Sequence, residues 1–225
     1  MLVIVPVKSA HEAEPLFLQP LGAGGLIDLT LEDAERQTAR GDVTLCITTD
    51  DERVIAHAKA RKKAWLFKKR GPEEQRGNYF TTLSYAHDWA RAETGKDFRS
   101  VLILEPSHPF RPAGLIANAI AMLERDPSLE TVVSVVREYG NLWTDDGRGN
   151  LHRTTTTLGQ SFYREIAGLC LLTRPSTLSS SAIGHDIGFV VVEEQWALID
   201  IHGAEGVVMA RRFHDLLSKQ QHPNP

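Results

Sequence analysis

Two apolar runs in this chain end abruptly in residues that can bind or move charge. Val101 to Leu104 gives way to Glu105, Ser107, His108 and Arg111, and Leu45 to Ile47 gives way to Thr48, Thr49, Asp50 and Asp51. In an open parallel sheet, ligands bind beyond the carboxyl ends of the strands. The carboxylates, the imidazole and the guanidinium are therefore expected around one cleft. A third apolar run, Ala197 to Ile201, carries Asp200, with His202 two positions on. On a strand these two share one face, a hard oxygen donor beside a softer nitrogen donor. A basic cluster runs from Lys59 through Arg61, Lys62 and Lys63 to Lys68, Lys69 and Arg70. It reads either as a solvated helix end and loop or as a cluster whose last member, Arg70, faces an anionic ligand.

Positioning these groups requires alternating strands and helices. Leu2 to Val5 is a β-branched run stopped by Pro6, and Val43 to Thr48, Ala64 to Phe67, Val101 to Leu104 and Thr131 to Val136 are further strands. Helical spacing covers Ile27 to Arg40, Tyr79 to Ala92 and Ala113 to Glu124, and Asp50 or Asp51 can cap a helix after the second strand. This pattern predicts an α/β fold, a mostly parallel sheet flanked by helices. Residues 141–164 are polar and turn-rich, a hairpin excursion from the sheet. Leu169 to Leu172, Phe189 to Val192 and Ala197 to Ile201 are strand-like, and Val207 to Leu217 is a closing helix. The expected layout is one domain over residues 1–219 and a disordered tail over 220–225.

With 225 residues, 42% of them hydrophobic, the chain can bury one substantial core. Its net charge of −4 speaks against nucleic-acid binding through bulk electrostatics. Cys46 and Cys170 both sit in apolar runs, as buried reduced thiols of a cytoplasmic protein do. No apolar run is long enough to span a membrane.

Several segments taken in order resemble one family. Residues 47–51 (ITTDD) followed by Val54, Ile55 and Ala56 resemble the STDD…IA segment of the CMP-sialic acid synthetases, the acylneuraminate cytidylyltransferases. Glu105 to Arg111 (EPSHPFR) resembles that family's QPTSPLR. Leu21 to Ile27 is similar to LGGKPLI, Arg70 to Glu74 to RPEEL, Val132 to Val135 to SVVSV, Tyr163 to Glu165 to YRENG, and Trp196 to His202 stands in the place of SIDID. The resemblance spans about Leu21 to Ala210. It implies a Rossmann-like nucleotidyltransferase in which an acceptor hydroxyl attacks the α-phosphate of CTP and releases pyrophosphate. It also implies a homodimer, with the excursion after the SVV strand supplying much of the interface.

In-line nucleotidyl transfer depends on neutralising phosphoryl charge with a divalent metal and cationic side chains. The resemblance implies Mg²⁺ or Mn²⁺ on Asp200, with His202 where the family has a second aspartate. It implies nucleotide contacts from Pro6, Lys8, Ser9, Asp50, Arg70, Thr81 and Thr82, with Lys8, Arg70 and Asp200 as the catalytic set. Glu105, His108, Arg111, Gln160 and Arg164 would face a small acidic acceptor. The chain departs from the family in its first loop, where Val7 to Pro15 lacks the glycines and carries Glu12 and Glu14. Glu105 stands for a glutamine, and a carboxylate accepts hydrogen bonds without donating them. Structural roles stay open beside the functional ones. Arg111 could pair Glu105 or cap surface carboxylates, Thr81 and Thr82 could back-bond to their helix, and Arg164 could pair a neighbouring carboxylate. The acceptor class spans nonulosonic acids, octulosonate-like sugars and smaller phosphonate or phosphate compounds. The competing reading is a family member without turnover, kept as a binding or regulatory subunit.

Overall fold

The computed structural model describes residues 1–8, 15–154, 161–178 and 184–221, with the side chains of 75 and 219–221 excepted. In chain order the elements are β1 (Leu2–Val7), a 3₁₀ turn (Leu16–Leu18), β2 (Pro20–Leu21), β3 (Gly24–Gly25), α1 (Leu26–Thr38), β4 (Thr44–Thr49), α2 (Glu52–Lys59) and β5 (Leu66–Lys69). There follow α3 (Pro72–Arg76), α4 (Tyr79–Thr94), β6 (Val101–Ile103), α5 (Leu115–Arg125), β7 (Thr131–Glu138), β8 (Trp143–Asp145) and β9 (Leu151–Arg153). The chain continues through β10 (Phe162–Glu165), β11 (Leu171–Thr173), α6 (Pro175–Leu178), β12 (Ile187–Val191), a 3₁₀ turn (Gln195–Leu198) and α7 (Ala204–Gln221).

The main sheet runs β10-β7-β11-β6-β1-β4-β5, and β12 pairs alongside β7. The pairs β5–β4, β4–β1, β1–β6 and β7–β12 are parallel, whereas β11 and β10 run antiparallel to their neighbours. Continuous apolar strands follow from burial on both faces. Val3, Val5, Leu45, Ile47, Leu102 and Leu104 pack with Ile27, Leu31 and Ile116 on one side. Leu2, Ile4, Cys46, Val101 and Ile103 pack with Leu83, Ala86 and Ala90 on the other. Cys46 and Cys170 are free and buried, and burial pushes both thiols up to about 12. The expected α/β architecture, with a mostly parallel sheet flanked by helices, is the one observed.

Polar contacts lock the helices onto this frame. Asp51 caps α2, its carboxylate accepting from the Arg53 amide at 2.8 Å. Asp28, at the start of α1, accepts from the Gly25 amide (2.6 Å) and from Arg61 (2.9 Å), and contacts His57 at 2.8 Å. Burial works against its charge, but the Gly25, His57 and Arg61 contacts hold its carboxyl below the ordinary value. Most of the basic cluster is consumed in similar pairs. Arg61 meets Asp28 and Glu32, Lys63 meets Glu35, Lys68 meets Glu74 and Lys69 meets Glu52.

One expected strand does not form. Residues 195–198 are a 3₁₀ turn and residues 199–202 lie outside any strand. Trp196, Ile199 and Ile201 pack under α7, and Ala197 and Leu198 pack against the main core. Trp196 stacks on Phe213 with centroids 5.5 Å apart, and Ile201 is enclosed with Phe110, Val207 and Ala210. The excursion does form a small hairpin, β8 paired with β9. Among the described residues, no helix is long and apolar enough to cross a membrane.

A candidate active-site cleft at the strand ends

The carboxyl ends of β1, β4, β5 and β6 open into a cleft of about 390 Å³. Pro6 and Lys8 follow from β1, Asp50 from β4, Arg70 from β5, and Glu105, Pro106 and Ser107 from β6. Glu74, Tyr79, Thr82, Phe17 and His202 complete its wall. A hollow of about 460 Å³ lies elsewhere, beside the excursion, between Arg137, Tyr139, Asn141, Arg153 and Phe162. It is lined from the end of β7 and from the excursion, and shares no residue with the cleft at β1, β4, β5 and β6.

Arg70 is buried and donates from Nη2 to the Thr48 carbonyl at 3.1 Å. Burial lowers its pKa, against the opposing field of Asp50. Thr82 donates to the Glu74 carbonyl at 3.3 Å from within the cleft wall. Thr81, by contrast, is half-buried, and its amide and hydroxyl both bond the Asn78 carboxamide oxygen (2.8 and 2.9 Å). The structure thus puts Thr81 in a helix cap and Thr82 in the cleft.

The β6 turn is the most constrained part of the site. The Glu105 amide donates to the Gly168 carbonyl (2.9 Å), and the Ile201 amide donates to the Ser107 carbonyl (2.9 Å). That second bond carries Asp200 and His202 to the turn without any strand pairing. Asp200 Oδ2 lies 2.9 Å from His202 Nε2, and Oδ1 lies 3.7 Å from His108 Nδ1. The Ser107 hydroxyl sits 3.1 Å from His108 Nδ1 and donates to Glu105 Oε2 at 3.3 Å. Burial lowers the His108 pKa, while Asp200 and Glu105 oppose that shift. Gly168 abuts this group so closely that a Cβ there would overlap the His108 ring.

Arg111 takes a different place from the one expected at the acceptor. Its side chain is 1% exposed and makes five hydrogen bonds. The carbonyls of Leu169 (2.7 Å), Glu105 (2.8 Å) and Gly168 (3.1 Å), with Thr30 (3.0 Å) and Asp33 (3.4 Å), take up the guanidinium. A buried guanidinium satisfied in this way fastens the turn from beneath. Arg164 lies outside the cleft lining, on β10, donating to Glu138 at 2.6 Å. Ser9 and Gln160 lie outside the described residues. Sequence reasoning overlooked Tyr79, which lines the cleft beside Glu105 and interacts electrostatically with its carboxylate. Its position at the start of α4, beside Asn78 and the two threonines, was the available signal.

No family model and no curated protein matches the chain by sequence. Solved structures match its fold along nearly the whole length. 4-Diphosphocytidyl-2C-methyl-D-erythritol synthase from Anaerococcus prevotii is 14% identical with a TM-score of 0.65, covering 95% of this chain and 96% of that one. CMP:2-keto-3-deoxy-manno-octonic acid synthetase, in complex with CTP, is 11% identical with a TM-score of 0.65, covering 97% and 98%. 2-C-methyl-D-erythritol 4-phosphate cytidylyltransferase from Thermus thermophilus is 15% identical with a TM-score of 0.62, covering 95% and 98%. None of the three is named for a sialic acid. At these identities the likeness concerns the fold, and the chain has the α/β fold of these nucleotidyltransferase structures.

Proposed function

We propose that the protein is a cytidylyltransferase, moving CMP from CTP to a hydroxyl of a small acceptor with release of pyrophosphate. The observation that carries this reading is the cleft itself. On a fold shared with cytidylyltransferases, Lys8 and Arg70 stand on the same cleft wall as Asp50, Glu105 and His202, with Asp200 against His202. In the proposed reaction the acceptor oxygen attacks the α-phosphorus as the bond to pyrophosphate breaks, and the hydroxyl proton leaves to solvent or a nearby base. Lys8 and Arg70 would hold phosphate oxygens as the charge shifts to the leaving group.

A divalent ion, Mg²⁺ or Mn²⁺, would supply further charge neutralisation when bound. Asp200 fits as its protein ligand, because its carboxylate is a hard oxygen donor with 38% of the side chain exposed. His202 suits Mn²⁺ better than Mg²⁺. Among the described residues no group of three or more His, Cys, Asp or Glu is arranged for a metal. The remaining ligands would be phosphate oxygens and water, the usual complement of Mg²⁺. The acid expected on the acceptor would then lie toward the cations or the metal. The exposed aromatic residues of the excursion support a homodimer, and the ion-paired basic cluster supports a small-molecule substrate over nucleic acid.

The test is isothermal titration with CTP, ATP, GTP and UTP, each with and without Mg²⁺ or Mn²⁺. Metal-dependent, CTP-selective binding is expected. Failure of every nucleotide to bind would overturn the proposal in favour of a non-catalytic binding or regulatory subunit.

A further inference from the structure

The Glu105 carboxylate sits in the cleft wall, held by donors that carry no charge. The Ser107 hydroxyl reaches Oε2 at 3.3 Å, and the Tyr79 phenol lines the same cleft and interacts with it. Burial, and then Glu105 itself, pushes the phenol well above its ordinary value, so Tyr79 remains a donor. A Cβ at position 168 would come within 3.2 Å of Oε2, so the carboxylate has little room to swing toward β11. Among the described residues, no lysine or arginine forms an ion pair with Glu105. Arg111 lies beneath the same turn, but it bonds the Glu105 carbonyl, not its carboxylate. The other carboxylate at this turn is Asp200, flanked by His108 and His202.

We infer that Glu105, aimed by Tyr79 and Ser107, is a specificity-determining residue that selects acceptors presenting a hydrogen-bond donor, a hydroxyl or a protonated amine, at this point. A carboxylate offers only acceptor oxygens. An acid group placed against it would set like charges face to face, which is strongly unfavourable at an enclosed contact. This inference rests on the cytidylyltransferase reading for the acceptor's role, and it assigns the part of the acceptor that meets β6.

Three sugars of one ring shape serve as probes: glucose, glucosamine and glucuronate. Their binding to the purified protein, with CTP present, is measured by saturation-transfer NMR. Glucose or glucosamine should bind at least about tenfold better than glucuronate. Equal binding of the first two identifies a hydroxyl as the donor that is read, and stronger glucosamine binding identifies an amine. Glu105→Gln should bring glucuronate to within about threefold of glucose, because an amide both donates and accepts. Tyr79→Phe keeps the charge, so glucuronate should stay excluded while glucose binding weakens. Glucuronate binding as well as glucose in the unaltered protein, equal absence of binding for all three, or an unchanged order in Glu105→Gln would each overturn the inference. CTP titration of the same samples separates the two claims. Loss of CTP binding with the sugar preference intact sinks only the cytidylyltransferase reading, and the converse result sinks only the role of Glu105.

Discussion

Along β4, β1 and β6 the apolar side chains are enclosed on both faces, and the polar groups gather just past the strand ends. β7 shares that enclosure, but the excursion and the outer strands β10 and β12 do not. Tyr139, Trp143, Leu151 and Tyr163 are between 51% and 77% exposed, and Phe189 on β12 is 53% exposed. The arginines differ in the same way. Arg111 is buried and tied to the β6 turn, whereas Arg137 and Arg164 lie at the surface with local partners. The first half of the sheet completes its own packing and can hold reacting groups rigidly. The excursion and the outer strands leave these apolar side chains exposed. Enclosed packing beneath the cleft and exposed apolar side chains around the excursion thus lie in different parts of the molecule.

The strongest challenge to that contrast is Arg111→Ala. Removing a buried cation strips three carbonyls and Asp33 of their partner, and about 3–5 kcal/mol of stability should be lost. Urea unfolding measures it, and a loss under about 1 kcal/mol would mean the turn is held by other contacts. Asp200→Ala should leave the unfolding midpoint near its original value while lowering kcat/KM about 100-fold. Pyrophosphate release reads the second effect, and unchanged turnover would remove Asp200 from the metal role. Asp28→Asn tests a support lying on the far side of α1. It should cost about 1–3 kcal/mol at neutral pH. The folded carboxyl lies below its unfolded value of 3.8, so its contribution is complete above that pH and disappears as pH falls through the folded value. The variant should therefore lose less stability on acidification than the parent, as acid unfolding monitored by circular dichroism would show.

Lys8→Ala should weaken CTP binding about tenfold with no change in unfolding. Titration with no difference would place the phosphates elsewhere. The smallest effect on stability belongs to the excursion. Trp143→Ser and Leu151→Ser should each stay within about 0.5 kcal/mol when the protein is dilute, yet shift the mass in sedimentation analysis toward the monomer. A destabilisation as large as that of Arg111→Ala would erase the distinction between the two halves.

Much of the first half was legible because its signals are local. Continuous β-branched runs fit burial on both faces, and Asp51 and Gly95 mark helix ends through hydrogen bonding and backbone geometry, although β1 runs on through Pro6 to Val7. Residues 197–201 were misread because a short apolar run has no period of its own, and packing competed with strand pairing. Asp200 and His202 still reached the β6 turn, through the Ile201 amide and the Ser107 carbonyl, a bond between segments far apart in the chain. Arg111 was placed at the acceptor because sequence distance says nothing about which carbonyls converge beneath a turn.

The sequence alone therefore determined the alternating elements, the strand ends at which a ligand would sit, and most of the residues lining that cleft. Each of these depends on hydrophobic period and on turn chemistry within a few neighbouring residues. The tertiary structure decided which charged groups face the cleft and which are spent holding it. It turned Arg111 inward, put Thr81 in a helix cap, and brought Tyr79 to Glu105. These outcomes depend on desolvation and on partners from distant segments, and a buried charge settles where its hydrogen bonds can be completed.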